Sequence, residues 1–328
     1  MPDVLLNRRQ ILLTAVESVY GVDRAPQETN SYQAIRILEP MTIDLGQEHI
    51  EQTGGLNTLG FSRPFATVRP VGLSFRTFVQ GLDSGSYTTN RKPPVGDLLR
   101  SCGMMEVFVT SNAAGVPEYS YTPTGRVQSQ TSQTFVAHVD GYEHRITGAM
   151  GNVNILLVAA TPVIAEWNFR GVLTTEASTS RGNPVGLPTG VPFRWIGSGS
   201  IYIESLSAII ENLNFNSGNR ILEQRASLAP SGSGIIRVMI TERAPGGSMD
   251  PEATQAGSMD FINLWRSTSG SAIRVQAGIA QSGRFTLVAS QAVTKTLTRQ
   301  DKEGLAVFGV DYQAYERSGD DEYRIVFD

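Results

Sequence analysis

Apolar and polar residues alternate in two long stretches of this chain, and the two stretches present their elements in the same order. In residues 37–175 the segments MTIDLG (41–46) and VGLSFRTFV (71–79) alternate with the period of two that marks a half-buried strand. They read as a strand pair around a long polar loop. VGDLLRSCGM (95–104) then has the spacing of a short amphipathic helix, and QTFVAHV, HRITGAMGNVNILLVAA and AEWNFRGVLT read as three further strands. Residues 200–328 repeat that order with almost no shared letters. The strand pair is SAIIENLNF (207–215) and GIIRVMITER (234–243), the helix is SMDFINLWRS (258–267), and SAIRVQAGIA, FTLVASQAVTKTLT and LAVFGVDYQAY follow.

The interruptions also match. GQEHIEQTGGLNTLGFSRPFAT (46–67) and NSGNRILEQRASLAPSGSG (216–234) are both too long for tight hairpins, and long loops at matching positions favour a function. Residues 1–36 read as an N-terminal arm in which LLTAVESVY is compatible with a helix or a strand. Residues 178–194 have the Gly/Pro/Ser composition of a linker. The expected organisation is an arm (1–36), a first β domain (37–177), a linker (178–194) and a second β domain (195–328). A subunit carrying two equivalent units builds a ring with half as many chains as faces, which points to assembly and away from catalysis.

Composition narrows the chemistry. A chain of 328 residues gives each half enough length for a core, and its 33 glycines suit a turn-rich β protein. No run approaches the roughly 18 apolar residues of a membrane helix, and the N-terminus lacks a signal-peptide cleavage pattern. The single cysteine, Cys102, excludes an internal disulfide and reads as a buried hydrophobe. A net charge of −4 lacks the basic stripe of a dedicated nucleic-acid binder.

Catalytic constellations are sparse. The three histidines are His49, His138 and His144. His138 and His144 could share one sheet face, yet a metal site would need a carboxylate partner as well. GSGSIY (197–202) opens a strand and so is not a nucleophile elbow, and no phosphate-cradling glycine loop leads into a helix. Asp301/Glu303 and Asp320–Asp321–Glu322 read as solvated turn acids. Trp167, Trp195 and Trp265 are spread one per element, with Trp265 read as core beside Phe261, Ile262 and Leu264. No cofactor and no catalysis are expected.

Several short motifs, in order, resemble the major tail proteins that form the tail tube of long-tailed bacteriophages. They are Glu17-x-x-Tyr20-Gly21 within RRQILLTAVESVYGVDRAP, the LLRSCGM helix after a Pro-Pro turn, and YSYTPT (119–124). The Asp140-Gly141 hairpin and the Gly148-Ala-Met-Gly151 bend, followed by an apolar strand and Phe-x-x-Gly, complete the set. The resemblance covers about residues 1–175, while 195–328 share the element order alone.

The resemblance implies a mainly β fold, a β-sandwich or partly open barrel with one flanking helix per domain, stacked in rings around a lumen. It implies that the arm (1–36) and the long loop grip the neighbouring ring. Gln47, Glu48, Thr53, Leu56, Phe61 and Arg63 are the first-copy contacts, with Asn219, Arg220, Gln224 and Arg225 in the second. Single-domain members form hexamers, so a duplicated chain is expected to form trimers with pseudo-sixfold faces. Four wall strands per copy give about 24 per ring, which at about 4.8 Å spacing and a tilt near 40° closes at a diameter of about 48 Å. That leaves room for a DNA duplex.

The expectation is a virion protein made in the bacterial cytoplasm whose main partner is itself. Double-stranded DNA and a tape-measure protein would pass through the lumen unbound, and tail terminator and distal tail proteins would cap the tube, with no membrane partner. The lumen is expected to be acidic or neutral. The rival reading is a two-domain carbohydrate-binding or adhesin-like β-sandwich. A glycosidase would need two buried acids on one cleft, and the inner tube of a contractile tail is not separable by sequence.

Overall fold

The computed structural model describes the chain apart from residues 1–5, 7, 24–31, 47–48, 52–62, 67–69, 83–85, 179–185, 197–199, 205, 227–233, 254–259 and 279–282. The first half opens with β1 (Gln10–Val16), β2 (Gln33–Ile35) and β3 (Thr42–Leu45). A small hairpin, β4 (His49–Ile50) with β5 (Phe65–Ala66), precedes β6 (Pro70–Phe78) and helix α1 (Gly96–Ser101). Then come β7 (Met104–Val109), β8 (Glu118–Pro123), β9 (Gln133–Val139), β10 (Tyr142–Val158) and β11 (Ile164–Ser178).

The second half contains β12 (Ser200–Ile203), β13 (Leu206–Ser207), β14 (Ile210–Asn216), β15 (Asn219–Arg225), β16 (Ile235–Arg243) and β17 (Gly246–Pro251). Helix α2 (Phe261–Ser267) follows, and β18 (Ser271–Gly278), β19 (Arg284–Lys302), β20 (Leu305–Ala314) and β21 (Arg324–Phe327) close the chain. The fold is mainly β and sandwich-like, with one short α-helix in each half among the described residues.

The antiparallel ladders of the first half run in the order β2-β1-β9-β10-β11-β6-β3. Those of the second half run β13-β12-β18-β19-β20-β17-β14. Each place in one order has its counterpart in the other, so the same seven-strand topology occurs twice in the described residues. β21 continues along β19 where β20 stops, as the C-terminal part of β11 does along β10.

Two expectations change. Residues 207–215 do not pair with 234–243, because β14 pairs with β17 and the segment read as a loop contains a strand, β15, that pairs with β16. NRILEQR has the strand alternation needed for this, and the turn before it is closed by the Asn216 side chain, which accepts from the Gly218 amide (2.7 Å). GGSMDP then serves as β17 because two neighbours crowd it. A Cβ on Gly247 would lie 1.9 Å from the Asn214 carbonyl oxygen, which excludes every other residue there.

Nor is the N-terminal segment wholly an arm, since β1 is built into the sheet between β9 and β2. The described part of the expected linker is likewise bound down. The Phe193 amide donates to the Val79 carbonyl and its carbonyl accepts from the Val163 amide, and Phe193 and Trp195 are buried.

One hydrophobic core runs through both halves. In the first, Phe75, Trp167 and Phe169 stack, with Phe135 set edge-on to Phe75. In the second, Phe285 and Phe327 meet edge-on, and Phe193 packs against both. Tyr121 of β8 also contacts Phe327 through the β8–β21 ladder. Helix α1 buries Leu98 and Leu99, whereas α2 buries only Phe261.

Trp265 is therefore not core. It is 41% exposed, and its indole donates to the Lys295 carbonyl at the rim of β19. Trp167→Ala is expected to cost about 3–5 kcal/mol in chemical denaturation, and Trp265→Ala less than about 1 kcal/mol.

Candidate functional site

The two halves join edge to edge. The C-terminal part of β10 pairs with β14, from Asn154 opposite Asn216 to Val158 opposite Asn212. This seam makes an eight-stranded antiparallel run, β3-β6-β11-β10-β14-β17-β20-β19. Alternation gives the run two unlike faces. Leu73, Phe75, Trp167, Phe169, Val153, Ile155, Leu213, Phe215, Met249, Val310 and Tyr312 turn into the core. The opposite face presents Ser74, Asn168, Asn152, Asn154, Asn214, Ser248, Asp311, Thr296, Thr298 and Gln300.

That polar face is cross-linked by amides and balanced ion pairs. Ser74 donates to Asn168 (2.8 Å), Asn154 to Glu166 (2.8 Å) and, across the seam, Asn152 to Asn216 (2.9 Å). Arg76 pairs with Glu166 and with Glu39 (3.1 Å), and Arg170 lies 3.9 Å from Asp44. Lys302 pairs with Glu211 and with Asp250 (3.2 Å). Asp250 is the clamp of the second half, accepting also from the Glu211 amide (3.0 Å) and from the Asn212 amide and side chain (2.6 and 2.8 Å). Burial alone would raise its pKa, but these hydrogen bonds and the Lys302 charge outweigh burial and hold it below the usual carboxylate value.

A second interaction locks the first half's N-terminal segment to β10 and to the β15–β16 hairpin. The buried Glu17 carboxylate accepts from the Gly21 amide (2.7 Å), Ser132 (2.5 Å), Thr134 (2.8 Å) and the Gly148 amide (2.8 Å). Tyr20 donates to the Gly148 carbonyl (3.2 Å) and accepts from the Val238 amide of β16. Burial pushes this hydroxyl up to about 12, so it stays protonated and keeps donating. Gly148 has φ +62°, and a Cβ there would lie 2.6 Å from the Tyr20 hydroxyl oxygen. Glu17-x-x-Tyr20-Gly21 and the 148–151 bend, far apart in sequence, are thus one contact.

Of the residues expected to grip a neighbour, Gln47, Glu48, Thr53, Leu56 and Phe61 lie outside the described residues. Arg63 is exposed ahead of β5. Asn219 is engaged within the chain: its side chain donates to the carbonyls of Cys102 (2.7 Å) and Gly151 (3.0 Å), and its amide to Asn152 (2.9 Å). Arg220 pairs with Glu242 (3.1 Å), and Gln224 accepts from Arg237 (2.6 Å), both exposed along the hairpin with Arg225. The β15–β16 hairpin itself lies over the first half, where Ile235, Val238 and Ile240 pack with Met150 and Val172. Sequence reading missed this hairpin and the Asp250 clamp. The alternation of NRILEQR was the available signal for the first, and the second had none because its partners come from two other strands, β14 and β19.

Other candidate chemistry is dispersed. His138 lies opposite Glu143, and His144 opposite Ala137, in the β9–β10 ladder. A one-residue offset in register puts the two imidazoles on opposite faces, contrary to the shared face considered from sequence. No cluster of three metal-binding side chains exists among the described residues. Cys102 is buried, and burial raises its thiol pKa well above the ordinary value. Glu322 is not a solvated turn acid, since it is buried and paired with Arg243 (2.9 Å). Asp301 and Glu303 are exposed at the β19–β20 turn, as expected.

Gly148→Ala is expected to cost about 1–3 kcal/mol through strain and the displaced tyrosine. Tyr20→Phe is expected to cost about 1–3 kcal/mol by leaving the Val238 amide without an acceptor; thermal unfolding checks both. Asp250 contributes stability above its unfolded-state pKa, and that share is lost as pH falls through its lowered folded value. Asp250→Asn therefore flattens the acid limb of the stability–pH profile relative to the parent chain. No family model matches this chain, and no curated protein matches it either.

Proposed function

We propose that this chain is a structural subunit that assembles with copies of itself into a tail tube of a long-tailed phage, three chains to a ring. The observation that carries the reading is the twice-used seven-strand order, fused at β10–β14 into one run with a polar face. Eight wall strands per chain and three chains give about 24 strands, the number that closes around a duplex-sized lumen at ordinary spacing and tilt. The motif resemblance supplies the biological setting.

The polar face suits a conduit wall for DNA. Arg76, Arg170 and Lys302 each stand beside a carboxylate, so the face offers a phosphate backbone no uncompensated cation from these three. Ser74 with Asn168, and Asn152 with Asn216, hydrogen-bond across strands, so these polar groups are partly satisfied within the wall and hold a hydrated surface. A tape-measure protein and the terminal tail proteins are the further partners of this reading.

Negative-stain electron microscopy of the purified protein, with its solution mass, is the test. Rings or tubes with three chains per layer are the expected result. Six chains per layer would keep the tube and discard the duplication as a ring-building device. A monomer at every concentration would overturn the reading.

A further inference from the structure

We infer that β3 of one copy adds to the free edge of the C-terminal arm of β19 of another, forming between chains the same seam that β10 and β14 form within one. This rests on the proposed self-assembly and names its junction. β3 and β14 hold the same place in the two seven-strand orders, and so do β10 and β19. The operation that carries the first half onto the second carries β10–β14 onto β19–β3 of the next copy. A head-to-tail contact of this kind repeats until the ring closes.

The edges at both ends are open among the described residues. β3 pairs with β6 on one side only. β18 covers β19 as far as Ala292; beyond it the arm's strand partner among the described residues is β20, and its Lys295 carbonyl takes the Trp265 indole. Along that arm Thr296, Thr298, Arg299 and Gln300 are exposed, and at the other end of the run Thr42, Asp44 and Leu45 are exposed. Bare edges of this length are normally protected or paired.

Burial points to the same partner. At the internal seam the turn after α1 is covered by the β15–β16 hairpin, with Asn219 on the Cys102 carbonyl. The matching helix α2 is bare, leaving Ile262 and Trp265 44% and 41% exposed beside β19. An incoming first half covers both the edge and this patch.

Side-chain alternation fixes which residues meet. Asp44 must stand on the polar face with Thr296, Thr298 or Gln300, since a shift of one residue would bury it. Within one chain these positions lie at opposite ends of eight strands, about 30 Å apart along the sheet. A disulfide between them is therefore intermolecular. The only native thiol, Cys102, is buried and does not compete.

The experiment combines Asp44→Cys with Thr296→Cys, Thr298→Cys or Gln300→Cys, using Asp44→Cys with Arg299→Cys as the wrong-face control. Each is oxidised mildly, run on a non-reducing gel and imaged. The expected result is a ladder ending at a closed ring for at least one polar-face pair, at least tenfold above the control. Assembled rings in which no polar-face pair exceeds the control would overturn the junction and leave the self-assembly standing. Failure of the unmodified chain to assemble would overturn the proposed function, and this junction with it.

Discussion

An antiparallel strand must satisfy its backbone on two edges, and β10 is too long for its neighbours to do so alone. β11 follows one edge for nearly its whole length, but β9 leaves the other edge at Ala149. From Asn154 to Val158 that edge would be a bare row of amides and carbonyls on a strand whose side chains Ile155 and Leu157 are buried. β14 fills it. Unpaired groups there would be costly, so the seam, together with the β8–β21 ladder, holds the halves side by side. It sets β17 and β20 beside the first half's sheet, extends one core through both halves, and lays the β15–β16 hairpin across β10.

The two halves are alike in topology and unlike in what covers them. The first carries the inserted hairpin β7–β8, whose outer strand takes up the chain's last strand, β21. That insertion shelters α1, which buries Leu98 and Leu99. The second half goes from α2 to β18 in three residues and has no such hairpin. Its helix is correspondingly half-exposed, and its long strand β19 ends in an arm with one open edge. The duplicated seven-strand order has one internal seam, β10–β14, so the outer ends of the run are the surfaces where the pattern is incomplete.

The contacts made by Glu17 and Tyr20 illustrate how short motifs acquire meaning. In sequence, Glu17-x-x-Tyr20-Gly21 is a loop signature and Gly148-Ala-Met-Gly151 a bend. In space the carboxylate and the hydroxyl are spent on the Gly148 amide and carbonyl, and the hydroxyl reaches the second half at Val238. Glycine at 148 is demanded twice, by its positive φ and by the ring packed against it. The same site thus fastens the N-terminal segment, the long strand and the hairpin, which accounts for its concentration of unusual residue choices.

The mainly β class, both helices, the strands read at 133–139 and 144–160, the burial of Cys102 and the recurrence of element order were all legible along the chain. Each depends on local periodicity, which alternation of apolar and polar residues records directly. What tertiary structure decided was partnership. That β14 pairs with β10 and β17, that β15 exists as a strand over the first half, that Glu322 is buried by Arg243 and that Trp265 stands at a rim are settled by residues distant in sequence. Period two says that a strand has two faces and two edges. It carries no information on which other strand lies along each edge, because backbone hydrogen bonds are the same for every residue and only packing of the assembled core chooses among them.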